Sequence, residues 1–181
     1  MNQLKLLATI ILSVPLLVWL VVPGGYAAVI YGVEALPSMI RDSEAIVVGE
    51  IAEVAEPASG YRAVTVHVLD SWKGAPTIQL KFGISVVRMG CDTSDAKVGE
   101  TVVLFLGNRR AENQLVIMLE GTGRMRVLGS KEERVVLLTL PVPAELHAQP
   151  TRIPGNGMGS GARLSDLKAY VEAVLRSEAS K

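Results

Sequence analysis

Apolar residues along most of the chain recur with a period of two, the repeat that places successive side chains on opposite faces of a β-strand. Ala45–Val54 (AIVVGEIAEV) is apolar at both parities at first and alternates later, which predicts a strand buried on both faces at one end. Gly49 within it marks a bulge or sharp bend. Beyond the turn cluster Glu56-Pro57-Ala58-Ser59-Gly60, the segment Tyr61 to Trp72 sets Val64, Val66 and Val68 on one face. Ala63, Thr65, His67 and Leu69 fall on the other, so the two segments read as a long hairpin. Lys73-Gly74-Ala75-Pro76 turns the chain into a third strand, Thr77 to Phe82, which Ile84 to Val87 extends past Gly83. Thr101 to Leu106 (TVVLFL) is a second two-sided apolar strand. Leu115–Leu119 and Met125–Leu128 are short strands around Gly121-Thr122-Gly123, and Val135 to Leu140 is the last apolar run.

Helical spacing is confined to the ends. Leu36 to Arg41 (LPSMIR) predicts one or two helical turns before the first strand. Leu164, Leu167, Val171, Val174 and Leu175 form an amphipathic stripe, with Ser165 as N-cap and Asp166 in the first turn. Between them, Pro141 to Gly161 is rich in Pro and Gly and lacks an apolar period, which predicts a mobile linker or an ordered loop. Short strands separated by turn clusters, without helical periodicity between them, argue a mainly β fold, an antiparallel barrel or sandwich. The organisation expected is a β domain over 34–140, a linker over 141–163 and a helix over 164–177.

The N-terminus changes the picture of compartment. Lys5 precedes an uncharged stretch from Leu6 to Val22, and Pro23-Gly24-Gly25 breaks it before Ala27 and Ala28. This is the layout of a secretory signal over 1–27, cleaved after Ala27 or Ala28, and it predicts a periplasmic or secreted protein. The competing reading is an uncleaved anchor over 6–22, for which seventeen residues fall short of the ~20 that span a bilayer. No Cys follows the stretch where lipid attachment would need one. Removal of 1–27 takes away Lys5 and no acid, leaving 17 basic against 18 acidic residues. That balance argues against nucleic acid, whose phosphates call for a basic excess.

A short helix with Ser43, then AIVVGEI, a V-x-V-x-V strand ending in Ser71-Trp72-Lys73-Gly74, a later Cys91, Val98-Gly99-Glu100 and VVLFL together form a familiar string. From Leu36 to Leu140 the chain resembles the bacterial exported relatives of the netrin-like domain, the OB-fold also found in tissue inhibitors of metalloproteinases. The resemblance implies a five-stranded Greek-key OB-fold-like barrel with a short N-terminal helix and a C-terminal amphipathic helix. In those inhibitors an N-terminal cysteine reaches the catalytic zinc of the target. Here the mature chain would start at Ala28 or Val29 with no cysteine nearby, and Cys91 is the only cysteine. The resemblance therefore implies the fold and not that inhibitory chemistry.

Candidate chemistry is sparse. Cys91 could act as a nucleophile if His67 or His147 lay close enough to lower its pKa, but its setting (RMGCDTS) has no known signature, and Asp92 and Asp95 would oppose thiolate formation. His67, His147, Cys91 and the aspartates lack the tight ligand pairs of zinc sites, so no metal and no cofactor is expected. Glu50, Glu53 and Glu56 are close in sequence, yet in a regular strand Glu50 and Glu53 point to opposite faces. Arg109-Arg110 and Arg124-x-Arg126 form the compact basic cluster, which with few aromatics is a poor platform for single strands. Gly155-Asn156-Gly157-Met158-Gly159 lacks the lysine and the strand-to-helix setting of a phosphate loop. The expectation is an exported, non-enzymatic binding module that recognises an unknown protein or envelope component through its barrel surface. The alternatives are an envelope enzyme using Cys91, and a membrane-tethered structural protein held by 6–22.

Overall fold

The two runs that are apolar at both parities lie side by side at the centre of the molecule. In the computed structural model, which describes residues 35–57, 61–85, 96–109, 114–118, 122–130, 133–153 and 157–180, β1 (Ala45–Val54) pairs antiparallel with β4 (Thr101–Arg109) in unbroken register from Ala45↔Leu106 to Glu50↔Thr101. The predicted signal, with Ala27 and Ala28, lies outside the described residues. On its other side β1 pairs with β2 (Tyr61–Lys73), β2 with β3 (Gln79–Ser85), and β3 meets β5 (Gln114–Ile117) in parallel at Gly83↔Val116. β5 returns antiparallel to β4. The circuit β1-β2-β3-β5-β4-β1 closes a five-stranded barrel with Greek-key, OB-fold-like strand order.

Closure explains the two-sided hydrophobicity. Val47 and Ile51 of β1 join Val102, Leu104 and Leu106 of β4 in one buried cluster, the barrel interior, with Val64, Val66 and Phe82. The alternate residues Ile46, Val48, Val103 and Phe105 belong to a second cluster, beneath the helices. Both parities of a strand must be apolar when one face fills a barrel and the other carries a helix.

The short helix α1 (Ala35–Asp42) buries Leu36, Met39 and Ile40 in that outer cluster. The Ser71-Trp72-Lys73-Gly74 string fixes how α1 enters the barrel. The Lys73 ammonium donates to the carbonyls of Ile40 at 3.1 Å and Arg41 at 2.6 Å, two acceptors that the last turn of a helix leaves unsatisfied. Burial lowers the Lys73 pKa from its ordinary value, partly offset by the Asp42 carboxylate. Gly74 turns with φ +92°, where a Cβ would come within 3.0 Å of the Glu44 carbonyl oxygen.

Past the barrel the sheet continues. β6 (Arg124–Leu128) pairs with the first half of β4, β7 (Val135–Leu138) with β6, β9 (Gly157–Arg163) with β7, and β8 (Gln149–Ile153) with β9 at the edge. The expectation of a linker over 141–163 is thus corrected: its second half is a β-hairpin in register with β7. Gly157, Gly159 and Gly161 face Ile153, Thr151 and Gln149 across the hairpin. At Gly161 a Cβ would collide with Thr151 Oγ1 and Val135 Cγ1, so the close approach of three strands there requires glycine.

α2 (Leu164–Ala179) covers the expected helix and packs on α1 and on the sheet through fully buried Leu167 and Val171, flanked by Leu164, Tyr170, Val174 and Leu175. Its N-cap is Arg163, in extended conformation, and not Ser165, because β9 runs directly into the helix and places Ser165 already inside the first turn. No helix among the described residues is long and apolar enough to cross a membrane.

Candidate functional site

A concave feature of the surface lies where the end of β2, the start of β7, the C-terminal hairpin and the first turn of α2 converge. It is an open groove of about 780 Å³. The end of β2 supplies Asp70 and Trp72, and β7 with the preceding turn supplies Glu133, Arg134 and Val135. Gln149 and Thr151 of β8, with His147 just before the strand, form another side. Arg163, Ser165, Asp166 and Lys168 come from the junction of β9 with α2.

Asp70 is the anchor of one wall. Its Oδ2 accepts the Trp72 indole N–H at 2.9 Å and the Lys168 ammonium at 2.7 Å. Partial burial pushes the Asp70 carboxyl upward, but the hydrogen bonds from Lys168 and Trp72 and the charge of Lys168 outweigh it and leave the pKa below the ordinary carboxylate value. The hydrogen bond to Asp70 holds Lys168 above its ordinary value. Both side chains are about two-fifths exposed, so the pair contributes at most about 1 kcal/mol while fixing the first turns of α2 against β2.

The opposite wall is fixed by backbone. Leu164 N–H donates to the Arg134 carbonyl at 2.9 Å, and Arg163 stands opposite Val135 in the β7–β9 ladder. Asp166 accepts the Ser165 hydroxyl at 3.2 Å. Among the described residues the guanidinium groups of Arg134 and Arg163 form no ion pair.

The sequence-derived candidates are scattered with respect to this groove. Cys91 lies outside the described residues, as does Arg110. His147 lines the groove, exposed, whereas His67 is exposed on the barrel wall opposite Glu50. Arg124 and Arg126 are not a free basic cluster. They converge on Glu100, with Arg126 Nε at 2.5 Å and Arg124 Nη1 at 3.7 Å from its carboxylate.

The geometry of the glutamates departs from the regular-strand expectation. The register steps from Ile51↔Val66 to Glu53↔Thr65, so Ala52 is an extra residue, a β-bulge. Ile51 and Val54 both pack into the barrel interior in consequence, and Glu50 and Glu53 share the outer face. Glu53 there accepts a long hydrogen bond from Thr65 Oγ1 at 3.4 Å. No group of three or more metal-ligating side chains occurs among the described residues.

The Asp70–Lys168 contact, 98 residues apart in sequence, was beyond sequence reasoning. The hairpin wall had a signal in the period-two glycines 157, 159 and 161. No family model matches this chain, and no curated protein does either.

Proposed function

We propose that the chain is an exported, non-enzymatic binding module of netrin-like kind that engages a protein or another envelope component. The surface we assign to binding is the groove between α2 and the C-terminal hairpin in place of the barrel wall. The observation that carries this reading is the groove's construction: a concavity of about 780 Å³ whose charged side chains stand on paired strands and on a docked helix, so little order remains to be imposed when a ligand enters. The alternative is the barrel wall, where His67 of β2 is set opposite Gln79 of β3.

A binding role also suits the electrostatics. General acid–base catalysis draws on a group whose pKa is moved toward neutrality. Asp70, the groove carboxyl whose value is clearly displaced, is moved the other way and is committed to Lys168 and Trp72. The closed barrel preceded by α1 is the architecture that the netrin-like reading calls for.

The test is affinity capture of the tagged full-length protein from its native envelope, with mass spectrometry of the retained partners and of the protein's own N-terminus. A stoichiometric partner together with a start at Ala28 or Val29 is the expected result. A start at Met1 would sink the cleavage reading, and the absence of any partner would sink the binding reading.

A further inference from the structure

We infer that the groove takes a neutral oligosaccharide; this rests on the assignment of the groove as the binding surface. Charge comes first. In the lining Asp70, Glu133 and Asp166 stand against Arg134, Arg163 and Lys168, so the groove as a whole is balanced. Asp70 and Lys168 are closed on each other at 2.7 Å, and Asp166 accepts the Ser165 hydroxyl. An anionic ligand meets acids here and a cationic one meets bases, so no net field selects either sign.

Large apolar anchors, which form the centre of a protein interface, lie elsewhere. Among the described residues the large apolar side chains that stand exposed are Leu69, Ile78, Val98 and Met158, and none of them lines the groove. Within it Trp72 is buried with its indole N–H committed to Asp70, and Val135 and Leu164 are half-buried. These leave only small apolar facets. What the groove does present is hydrogen-bonding capacity of both kinds. The exposed amide of Gln149 and the exposed hydroxyl of Ser165 each donate and accept, while Arg163 adds an exposed donor and Glu133 an exposed acceptor. A neutral oligosaccharide matches each feature, since its hydroxyls donate and accept, it carries no charge, and the C–H faces of its rings suit small apolar facets. The ladder of β8 with β9 and the docked α2 already hold the lining in place, which limits the ordering cost that hydroxyl contacts must offset. The volume of about 780 Å³ falls within the ~300–1,000 Å³ of small-ligand sites.

The experiment is titration of the isotopically labelled full chain at constant ionic strength, followed by amide nuclear magnetic resonance. The probes are the neutral tetrasaccharides of glucose and of N-acetylglucosamine, the deacetylated and cationic form of the second, anionic tetragalacturonate, and a neutral glycine–serine peptide. At least one neutral sugar should shift the resonances of Gln149, Thr151 and Gly161 at millimolar concentration, and the charged sugars should bind no more tightly. Gln149→Leu should weaken that sugar about fivefold with an unchanged melting temperature, the loss that follows from one neutral hydrogen bond. Gln79→Leu on the barrel wall should leave it unchanged. No response to either neutral sugar, or a response that Gln149→Leu leaves unaltered, overturns the inference. A charged sugar that binds more tightly overturns its neutral part, and a response to the peptide alone overturns its saccharide part. Failure here is distinguishable from failure of the binding reading: an envelope protein that cross-links at position 151 while neither neutral sugar binds overturns the saccharide inference alone.

Discussion

Replacing Leu167 by alanine probes whether the C-terminal helix is part of the domain or a tail beyond a linker. Leu167 is fully buried where α2 meets the sheet, in the same cluster as Ile46, Phe105 and Val136. Truncating such a leucine costs the lost transfer free energy plus a cavity term, together about 3–5 kcal/mol when the surroundings cannot collapse. Here the neighbours belong to a paired sheet on one side and to α1 on the other, so little collapse is available. For a chain of this size, ~3 kcal/mol corresponds to a fall in melting temperature of about 6–12 °C. Arg176→Ala on the exposed face of the same helix is the control. It breaks an i,i+4 contact to Glu172 at 3.8 Å, and its cost should not exceed about 0.5 kcal/mol. Urea denaturation followed by far-ultraviolet circular dichroism, analysed at constant m-value, gives both differences. A Leu167→Ala cost below about 1 kcal/mol would refute the docking of α2 and, with it, the groove that α2 helps to wall.

Other outcomes follow from the same packing. Val66→Asp places an unpaired charge in the barrel interior and should leave the protein unfolded at room temperature, as read from lost chemical-shift dispersion; a folded variant would contradict the β2 assignment. Lys73→Gln should cost about 1 kcal/mol by removing the charge that caps α1, and a melting curve superposable on wild type would deny that role. Asp70→Asn should lower stability by less than about 1 kcal/mol in the neutral range. Because the folded pKa of Asp70 lies below its unfolded value, that difference is present above the ordinary value of 3.8 and vanishes as pH falls through the folded value. A gap between the two proteins that widens on acidification would reverse the sign and refute the contact.

The strands of the barrel were legible in the sequence, although their alternation fitted a sandwich as well and the barrel itself came from the resemblance. β1 and β4 read as apolar at both parities since each has an interior face and a helix-covered face. β2 alternates since past Val66 its outer face meets solvent at His67 and Leu69. The short terminal helix and the stripe from Leu164 to Leu175 were equally plain, because a buried helical face repeats every three to four residues.

What escaped had other physical causes. The C-terminal hairpin is built from small residues at the face where three strands crowd together, so its alternation is one of glycine against larger side chains and not of apolar against polar. Pro150 also fits an edge strand, where a missing N–H costs no ladder bond if it faces outward. The bulge at Ala52 inverted the expected relation of Glu50 to Glu53, and a bulge shifts parity without leaving a compositional mark. The groove joins Asp70 to Lys168 and Val135 to Arg163 through pairings that only the folded sheet creates.

The most direct test of the central claim is site-specific photocross-linking in the native envelope, with a photoreactive residue placed either at Thr151 in the groove or at Gln79 on the barrel wall. One recurrent adduct, identified by mass spectrometry, is expected from position 151 and none from position 79. An adduct from position 79 alone would contradict it by moving the binding surface to the barrel.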